Sequence, residues 1–466
     1  MRSKALLLAA ALAGCASGDP SIRPDLAPLA AEARLSGGGE RAAAAWWRAF
    51  GDPDLAALVE QALRSNPDLA VAAARVSEAR AALVAVDADL LPRLDAQLAL
   101  ASRRLSNQTG QNFPGMPRRT DVGSAGVQLS WEIDLWGRAS DRSAAALGDA
   151  EAAAFRAAAA EVSLAASVAR SWFAVRLARE ELACLRGEFA SRLEDAGLTE
   201  RQAAAGVVDG DALAAARLAA AQAKADELDA VRRLGAAENA LRVLVGLPAG
   251  SPLPGALPDT AAPAVLARQP AFGAGLPSEL LLARPDLRAA ARALDAALAR
   301  EGSARAEFYP RLMLVGDAGW SADPASRVGK PGSGFWGLTP SLSVPIFDAS
   351  RNQAGLEVAQ ARVDQAAAEW RKAVLEAFRE VDDALVDLRE IAVQEDLAAR
   401  VVAAVGERLA NAEARLKAGL ADRLEVEAAR RDTLLARRTH AGYAWQRRQA
   451  AVRLAAATGG GFPAGE

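Results

Sequence analysis

Side chains that could do nucleophilic, redox or metal chemistry are scarce in this chain, whose 466 residues include two cysteines and one histidine. His440 follows Arg437-Arg438-Thr439, so a solvent-facing position on an arginine-rich helix is expected. No Cys/His cluster, Gly-rich phosphate loop or nucleophile elbow accompanies it, and the carboxylates are scattered. The sequence therefore predicts neither an enzyme nor a cofactor or metal site. A net charge of −3 leaves no footprint for nucleic acid.

Cys15 is the one thiol with a prescriptive context. Arg2, Lys4, the apolar run Ala5 to Ala13 and Gly14 read as an export signal over 1–14, too short to span a membrane. Leu12-Ala13-Gly14-Cys15 resembles a bacterial lipoprotein signal, in which cleavage leaves Cys15 as the acylated N-terminus. Several acyl chains anchor a protein stably where one does not. Cys184 is then a lone thiol within a long helix, without a disulfide partner.

Glycines and aspartates at turns form the other set with a defined task. In Ala205-Gly206-Val207-Val208-Asp209 the glycine can take the left-handed position that closes one helix, while Asp209 or Asp211 caps the next. The first arm of this hairpin runs from Arg138 to Ala205 without a proline, about 100 Å at ~1.5 Å per residue. The return arm stops at Gly246-Leu247-Pro248. The construction recurs: Arg138 pairs with Arg351, Gly206 with Gly419, Asp209 with Asp422 and Gly246 with Gly459, all 213 residues apart. Upstream, Pro67-Asp68-Leu69 pairs with Pro285-Asp286-Leu287 and Leu91-Pro92-Arg93 with Tyr309-Pro310-Arg311, 218 residues apart. Helix lengths are thus held constant while a loop between Pro92 and Arg138 varies, the signature of a duplicated architecture.

Residues 16–45 read as an extended arm, and Trp46-Trp47 with Phe50 as a plug packing it on the body. Asn66-Pro67 starts a helix of about 23 residues that Pro92 stops, repeated from Pro285 to Phe308. The long arm exceeds its return arm by about 30 residues, so this shorter helix, stacked end to end on the return arm, would complete a second rod. Ala367, Val374, Val381 and Leu388 recur every seven residues and predict left-handed coiled-coil packing. Seven prolines between 248 and 277 mark the crossover between halves.

Elsewhere the period is two. Val127, Leu129, Trp131, Ile133 and Leu135 alternate with polar residues, as do Leu94, Ala96, Leu98 and Leu100. Leu312, Leu314, Gly316, Ala318 and Trp320 form one face of the second pair, and Trp336, Leu338, Pro340, Leu342, Val344 and Ile346 another. Polar, Gly/Pro-rich loops join each pair. Trp131 and Trp136 stand near one end of the pairs and Trp320, Phe335 and Trp336 near the other, as two interfacial girdles would require.

The organisation predicted is a signal over 1–14, an acylated arm over 15–65, and a first repeat over 66–246 with strand pair 94–135 and hairpin 138–246. A crossover over 247–283, a second repeat over 284–459 with strand pair 311–347 and hairpin 351–459, and a tail over 460–466 follow. The fold class is mainly α with a small transmembrane β part. Four strands cannot close a barrel, and lipid-facing open edges leave backbone groups unpaired. Other copies must complete it: two give eight strands with a filled lumen, three give twelve and a pore, and the long helices continuing the barrel favour three.

Trp46-Trp47 to Asp54, Asn66-Pro67-Asp68-Leu69, Phe308-Tyr309-Pro310-Arg311 and the Ala-Gly-x-x-Asp turns resemble the TolC-type outer-membrane efflux factors, in their lipoprotein branch. The resemblance spans about residues 12–460 and implies a homotrimeric channel-tunnel. It further implies a twelve-strand barrel in outer-membrane lipid, a periplasmic helical tunnel, a periplasmic adaptor and an inner-membrane pump. It places Gly206, Val207, Asp209, Gly419, Leu420 and Asp422 on the adaptor-docking tips. It also implies a gate of a leucine and, one turn later, a carboxylate: Leu424 matches, whereas Ala428 stands at the second position, leaving Glu425 or Glu427 to supply the acid. The expected function is passive efflux conduction. A type I secretion conduit or a non-channel coiled-coil spacer is the alternative, and the cargo is left open between drug, metal and protein.

Overall fold

The computed structural model describes residues 45–106, 119–253 and 284–461. Cys15, the extended arm, most of the loop after the first strand, most of the crossover and the end of the tail lie outside the described residues. The helices are α1 (Pro53–Ser65), α2 (Pro67–Asp87), α3 (Arg138–Ala204), α4 (Gly210–Val245), α5 (Pro285–Ala306), α6 (Arg351–Lys417) and α7 (Arg423–Ala457). The strands are β1 (Arg93–Arg104), β2 (Arg119–Ile133), β3 (Arg311–Ala322) and β4 (Gly334–Ser343). The two long helices, α3 and α6, are each 67 residues, in keeping with the duplication. The chain divides into two compact units.

The first unit, Ala74–Ala154 with Ala289–Arg371, holds a four-stranded antiparallel sheet in the order β1-β2-β3-β4. The β2–β3 pairing joins the two halves of the duplication, setting Val127 opposite Ala318 and Gly126 opposite Gly319. Because cross-strand partners share a face, the register sorts the sheet into two. One carries Leu94, Leu98, Leu100, Val127, Leu129, Leu314, Trp320, Trp336, Leu338 and Leu342; the other carries Asp95, Gln97, Gln128, Ser130, Asp317, Thr339 and Ser341. The expected apolar face is therefore present on all four strands, although Met313 and Val315 fall on the opposite face and Leu135 lies beyond the end of β2. Phe335, opposite Gly319, falls on the polar face. β4 ends at Ser343, so Val344 and Ile346 lie beyond it, where Pro345 has no N–H to extend the ladder. Pro340 is accommodated because β4 is an edge strand of the sheet within one chain.

The β2 and β3 backbones approach closely on the polar face at the Gly126–Gly319 pair. A Cβ on Gly319 would meet Ala125 O at 2.3 Å and Gly126 Cα at 2.5 Å, and one on Gly126 would meet Ala318 O at 2.7 Å. Glycines at such points admit the curvature that closure requires. At the strand–helix corner, Arg138 pairs with Glu132 and reaches Glu307 at 3.3 Å. Gly148 allows α3 to approach α5, where a Cβ would sit 3.0 Å from that of Ala296.

The second unit holds the main core. Trp46 and Phe50 pack with Leu55, Leu58 and Val59 of α1 against Val168, Trp172, Phe173, Val175, Leu241, Val245 and Val452. The aromatic cluster thus packs on the body as expected, while the arm it was expected to hold lies outside the described residues. Asp52 fixes it: Oδ1 accepts from the backbone N–H groups of Asp54 and Leu55, both at 3.1 Å, and Oδ2 from Trp172 Nε1 at 2.9 Å and Arg176 Nη1 at 3.0 Å. In α6, Val374, Ala377, Val381 and Ala384 are buried at the coiled-coil spacing.

End-to-end stacking of the shorter helix on the return arm is present in both repeats, secured by different chemistry. Ser65 Oγ donates to Val245 O and Asn66 Nδ2 to Leu244 O, each at 2.9 Å, while Asn66 Oδ1 accepts from Asp68 N at 2.8 Å. One asparagine thereby caps the start of α2 and the end of α4. In the second repeat Arg284 does this work, donating to Ala457 O at 3.0 Å and pairing with Asp286 at 2.7 Å and Glu380 at 2.9 Å.

Candidate functional site

Each hairpin tip is built by its glycine. At Gly206, φ is +70°, its N–H donates to Ala203 O at 3.0 Å, and the Val207 N–H donates to Gln202 O at 2.9 Å. Gly419 repeats this at φ +72°, with bonds to Leu416 O at 3.0 Å and from Leu420 N to Arg415 O at 2.8 Å. Both are the double-bonded glycine ending of an α-helix. The return helices open on aspartates: Asp209 accepts from Ala212 N at 2.9 Å and Asp422 from Glu425 N at 2.8 Å. Asp209, not Asp211, is thus the cap. Val207 and Leu420 stand between glycine and cap, each 70% exposed. The second tip is braced by Arg415, which pairs with Glu425 and donates to Leu420 O at 3.1 Å.

One turn into α7 the residues diverge. Leu424 is half-buried, Glu425 is exposed beside Arg415, and Glu427 is 1% exposed. An isolated helix glutamate would be expected in solvent. Here Arg423 Nε lies 3.3 Å and Arg430 Nη1 3.6 Å from Glu427 Oε1, on the same helix face at i−4 and i+3. Without those two cations the desolvation of a carboxylate would be costly. Next to it, Arg431 donates to Ser191 Oγ at 2.9 Å and pairs with Asp195, while Ser191 Oγ donates to Glu427 O at 3.3 Å. This tie between α7 and α3 escaped sequence reasoning because its partners are 236 residues apart and nothing local marks them.

His440 is half-buried rather than solvent-facing. Cys184 is 5% exposed, and burial, then the charge of Glu180, pushes its thiol up to about 11. At pH 8 roughly one thiol in a thousand is then the reactive thiolate. Native protein is expected to resist maleimide for hours and label fully once unfolded in urea; equal rates in both states would contradict the burial.

The four tryptophans occupy two settings. Trp131 Nε1 donates to Leu90 O at 3.0 Å, and Trp136 Nε1 donates to Pro310 O at 2.7 Å with its ring stacked on Tyr309. Both are anchored where strands meet helices. Trp320 and Trp336 stand 50% and 82% exposed on the apolar face, level with Ala125 and Val127.

A two-faced open sheet carried on duplicated 67-residue helices matches one family model, that of the outer membrane efflux proteins, over residues 58–247 and again over 276–460. The chain belongs to this family. The double match reproduces the internal repeat. Among curated relatives, the cation efflux system protein CusC of Escherichia coli is 31% identical over 98% of this chain and 97% of its own. The outer membrane protein OprJ of Pseudomonas aeruginosa is 32% identical over 99% and 96%. The open-state crystal structure of the Neisseria gonorrhoeae MtrE outer membrane channel superposes with a TM-score of 0.79 at 30% identity, covering 92% of this chain and 95% of that one. This efflux protein accordingly resides in the outer membrane with a large periplasmic part, as a channel component of tripartite efflux systems.

Proposed function

We propose that three copies of this efflux protein join their sheets, β4 of one protomer beside β1 of the next, into a twelve-strand barrel that passively conducts cargo delivered by an inner-membrane pump through a periplasmic adaptor. The observation that carries this reading is the sheet itself. It has an apolar and a polar face and, among the described residues, two unpaired edges, and in lipid such edges must be filled. The close backbone approach on the polar face at Gly126–Gly319 supports a curvature that turns this face inward, as a water-filled lumen needs.

In this reading Cys15 carries the lipid anchor. The tips at Gly206, Val207 and Asp209 and at Gly419, Leu420 and Asp422 give six similar surfaces around a threefold axis for adaptor hairpins. Leu424 narrows the closed end, with Glu425 and the buried Glu427 as the candidate carboxylates. Trp131 and Trp136 mark the periplasmic membrane boundary. Trp336 and Trp320 lie about 10 and 15 Å further into the apolar band, at ~3.3 Å per residue and ~40° tilt. In this reading the conduit is passive and the identity of its cargo is set by the pump; the cations named for CusC are one candidate class.

Purified protein is expected to crosslink as a trimer and to give discrete conductance steps in planar bilayers, which Leu424→Ala should raise. A monodisperse monomer that retains its β signal and conducts nothing would overturn the proposal, and unchanged conductance in Leu424→Ala would remove the gate assignment.

A further inference from the structure

The register places a cluster of cations at the rim of the sheet farthest from the helices, on its apolar face. Arg104 of β1 lies directly opposite Arg119 of β2, on the face that carries Leu94, Leu98 and Leu100. Like charges directly opposed across a ladder repel. Asp121 engages Arg119 at 3.3 Å but leaves the pair net positive. Two more cations come from the β3–β4 connection, whose helical turn Ala325–Arg327 folds over β2 on this same face. A Cβ on Gly123 would meet Ala325 Cβ at 2.9 Å and Val328 Cγ2 at 3.0 Å, and Asp323 Oδ1 accepts from Asp121 N at 3.3 Å. That turn presents Arg327, and Lys330, whose N–H donates to Arg327 O at 3.1 Å, follows it; both are exposed.

The height of this cluster identifies what it meets. Arg119 stands twelve residues along β2 from Trp131, which at ~3.3 Å per residue and ~40° tilt is about 30 Å, one hydrocarbon thickness. We propose that Arg104, Arg119, Arg327 and Lys330 form a lipid-facing rim that binds the phosphate groups of anionic outer-leaflet lipid, which relieves the opposed arginine pair. The proposal rests on the barrel reading above. Guanidinium groups suit this partner because they bind phosphate bidentately, and anionic headgroups attract basic segments at the membrane surface.

The test uses the full-length trimer, exchanged into detergent and titrated with diphosphoryl lipid A under native mass spectrometry. Binding is expected to fall about tenfold in the triple variant Arg104→Gln/Arg327→Gln/Lys330→Gln. It should be unchanged in Arg103→Gln, whose position opposite Thr120 puts it on the polar face. Dephosphorylated lipid A should bind no better to wild type than to the variant, and millimolar inorganic phosphate should not displace the lipid. The proposal is overturned if the triple variant binds like wild type, if Arg103→Gln loses as much, if removing the phosphates changes nothing, or if free phosphate competes fully. Conductance of the same preparations separates the two readings: conducting trimers without lipid preference refute the rim alone, whereas non-conducting monomers refute the barrel.

Discussion

Gly319→Val is expected to leave no trimer in the outer membrane. The substituted Cβ would lie 2.3 Å from Ala125 O and 2.5 Å from Gly126 Cα, and both are backbone atoms of the neighbouring strand with no rotamer that moves them away. Overpacking a filled interior costs about 1–3 kcal/mol when side chains can yield. Here the β2–β3 ladder itself must separate, at the pairing that joins the two halves, and the defect occurs once per protomer. Gly316→Ala is the matched control, since its Cβ would sit 3.4–3.6 Å from the side chains of Leu338 and Leu129, an ordinary contact. Trimer bands on semi-native gels of membrane fractions should vanish for the valine variant and persist for the alanine one. Normal trimer yield from Gly319→Val would mean that closure of the sheet does not depend on this close approach.

The second large effect is functional rather than structural. A double variant, Gly206→Val with Gly419→Val, should insert and trimerise normally yet drop efflux to the level of a strain lacking the channel. No heavy atom lies within 4 Å of a Cβ at either glycine, so nothing clashes. The cost is confined to φ values of +70° and +72°, which a β-branched residue resists by about 1–3 kcal/mol. That strain is small against the stability of a trimer but suffices to unwind a five-residue turn and displace Val207 and Leu420. Gly210→Ala, equally open and at an ordinary helical position, should be silent. Antibiotic accumulation and adaptor crosslinking report the result, and unimpaired crosslinking in the double variant would place docking elsewhere.

Much of this architecture was legible in the sequence because its determinants are local and occur twice. The glycine–aspartate turns, the helix ends at Gly246 and Gly459 and the alternation of Val127, Leu129 and Trp131 depend on backbone geometry within a few residues, and their recurrence filters out coincidence. Contacts made by long side chains across the hairpins were not legible. The spacing of Arg423 and Arg430 around Glu427 is local, but it does not reveal that α3 packs over this carboxylate and buries it, and nothing near Asp195 announces Arg431. The exchange of Asn66 for Arg284 at the two helix junctions was hidden for the same reason: an amide and a guanidinium satisfy the same orphan carbonyls with unrelated residue types. The register that places Trp320 and Trp336 within the apolar band likewise depends on strand pairing, which alternation alone leaves free to slide.

The equal lengths of α3 and α6 make this chain a ruler that can be recut only in fixed increments. Adding one residue to a single arm would raise everything beyond it by about 1.5 Å and turn it by about 100°, which would swing Val374 and Val381 out of the seam they share. A longer tunnel therefore requires whole heptads, about 10 Å each, inserted at matching heights in all four hairpin arms of both repeats. The five-residue slip between the repeats fell upstream of Arg138, in the strand pair and its connections, where length carries no such helical phase. Length outside the helices is thus free of this constraint, while the distance bridged across the periplasm can change only in coordinated steps.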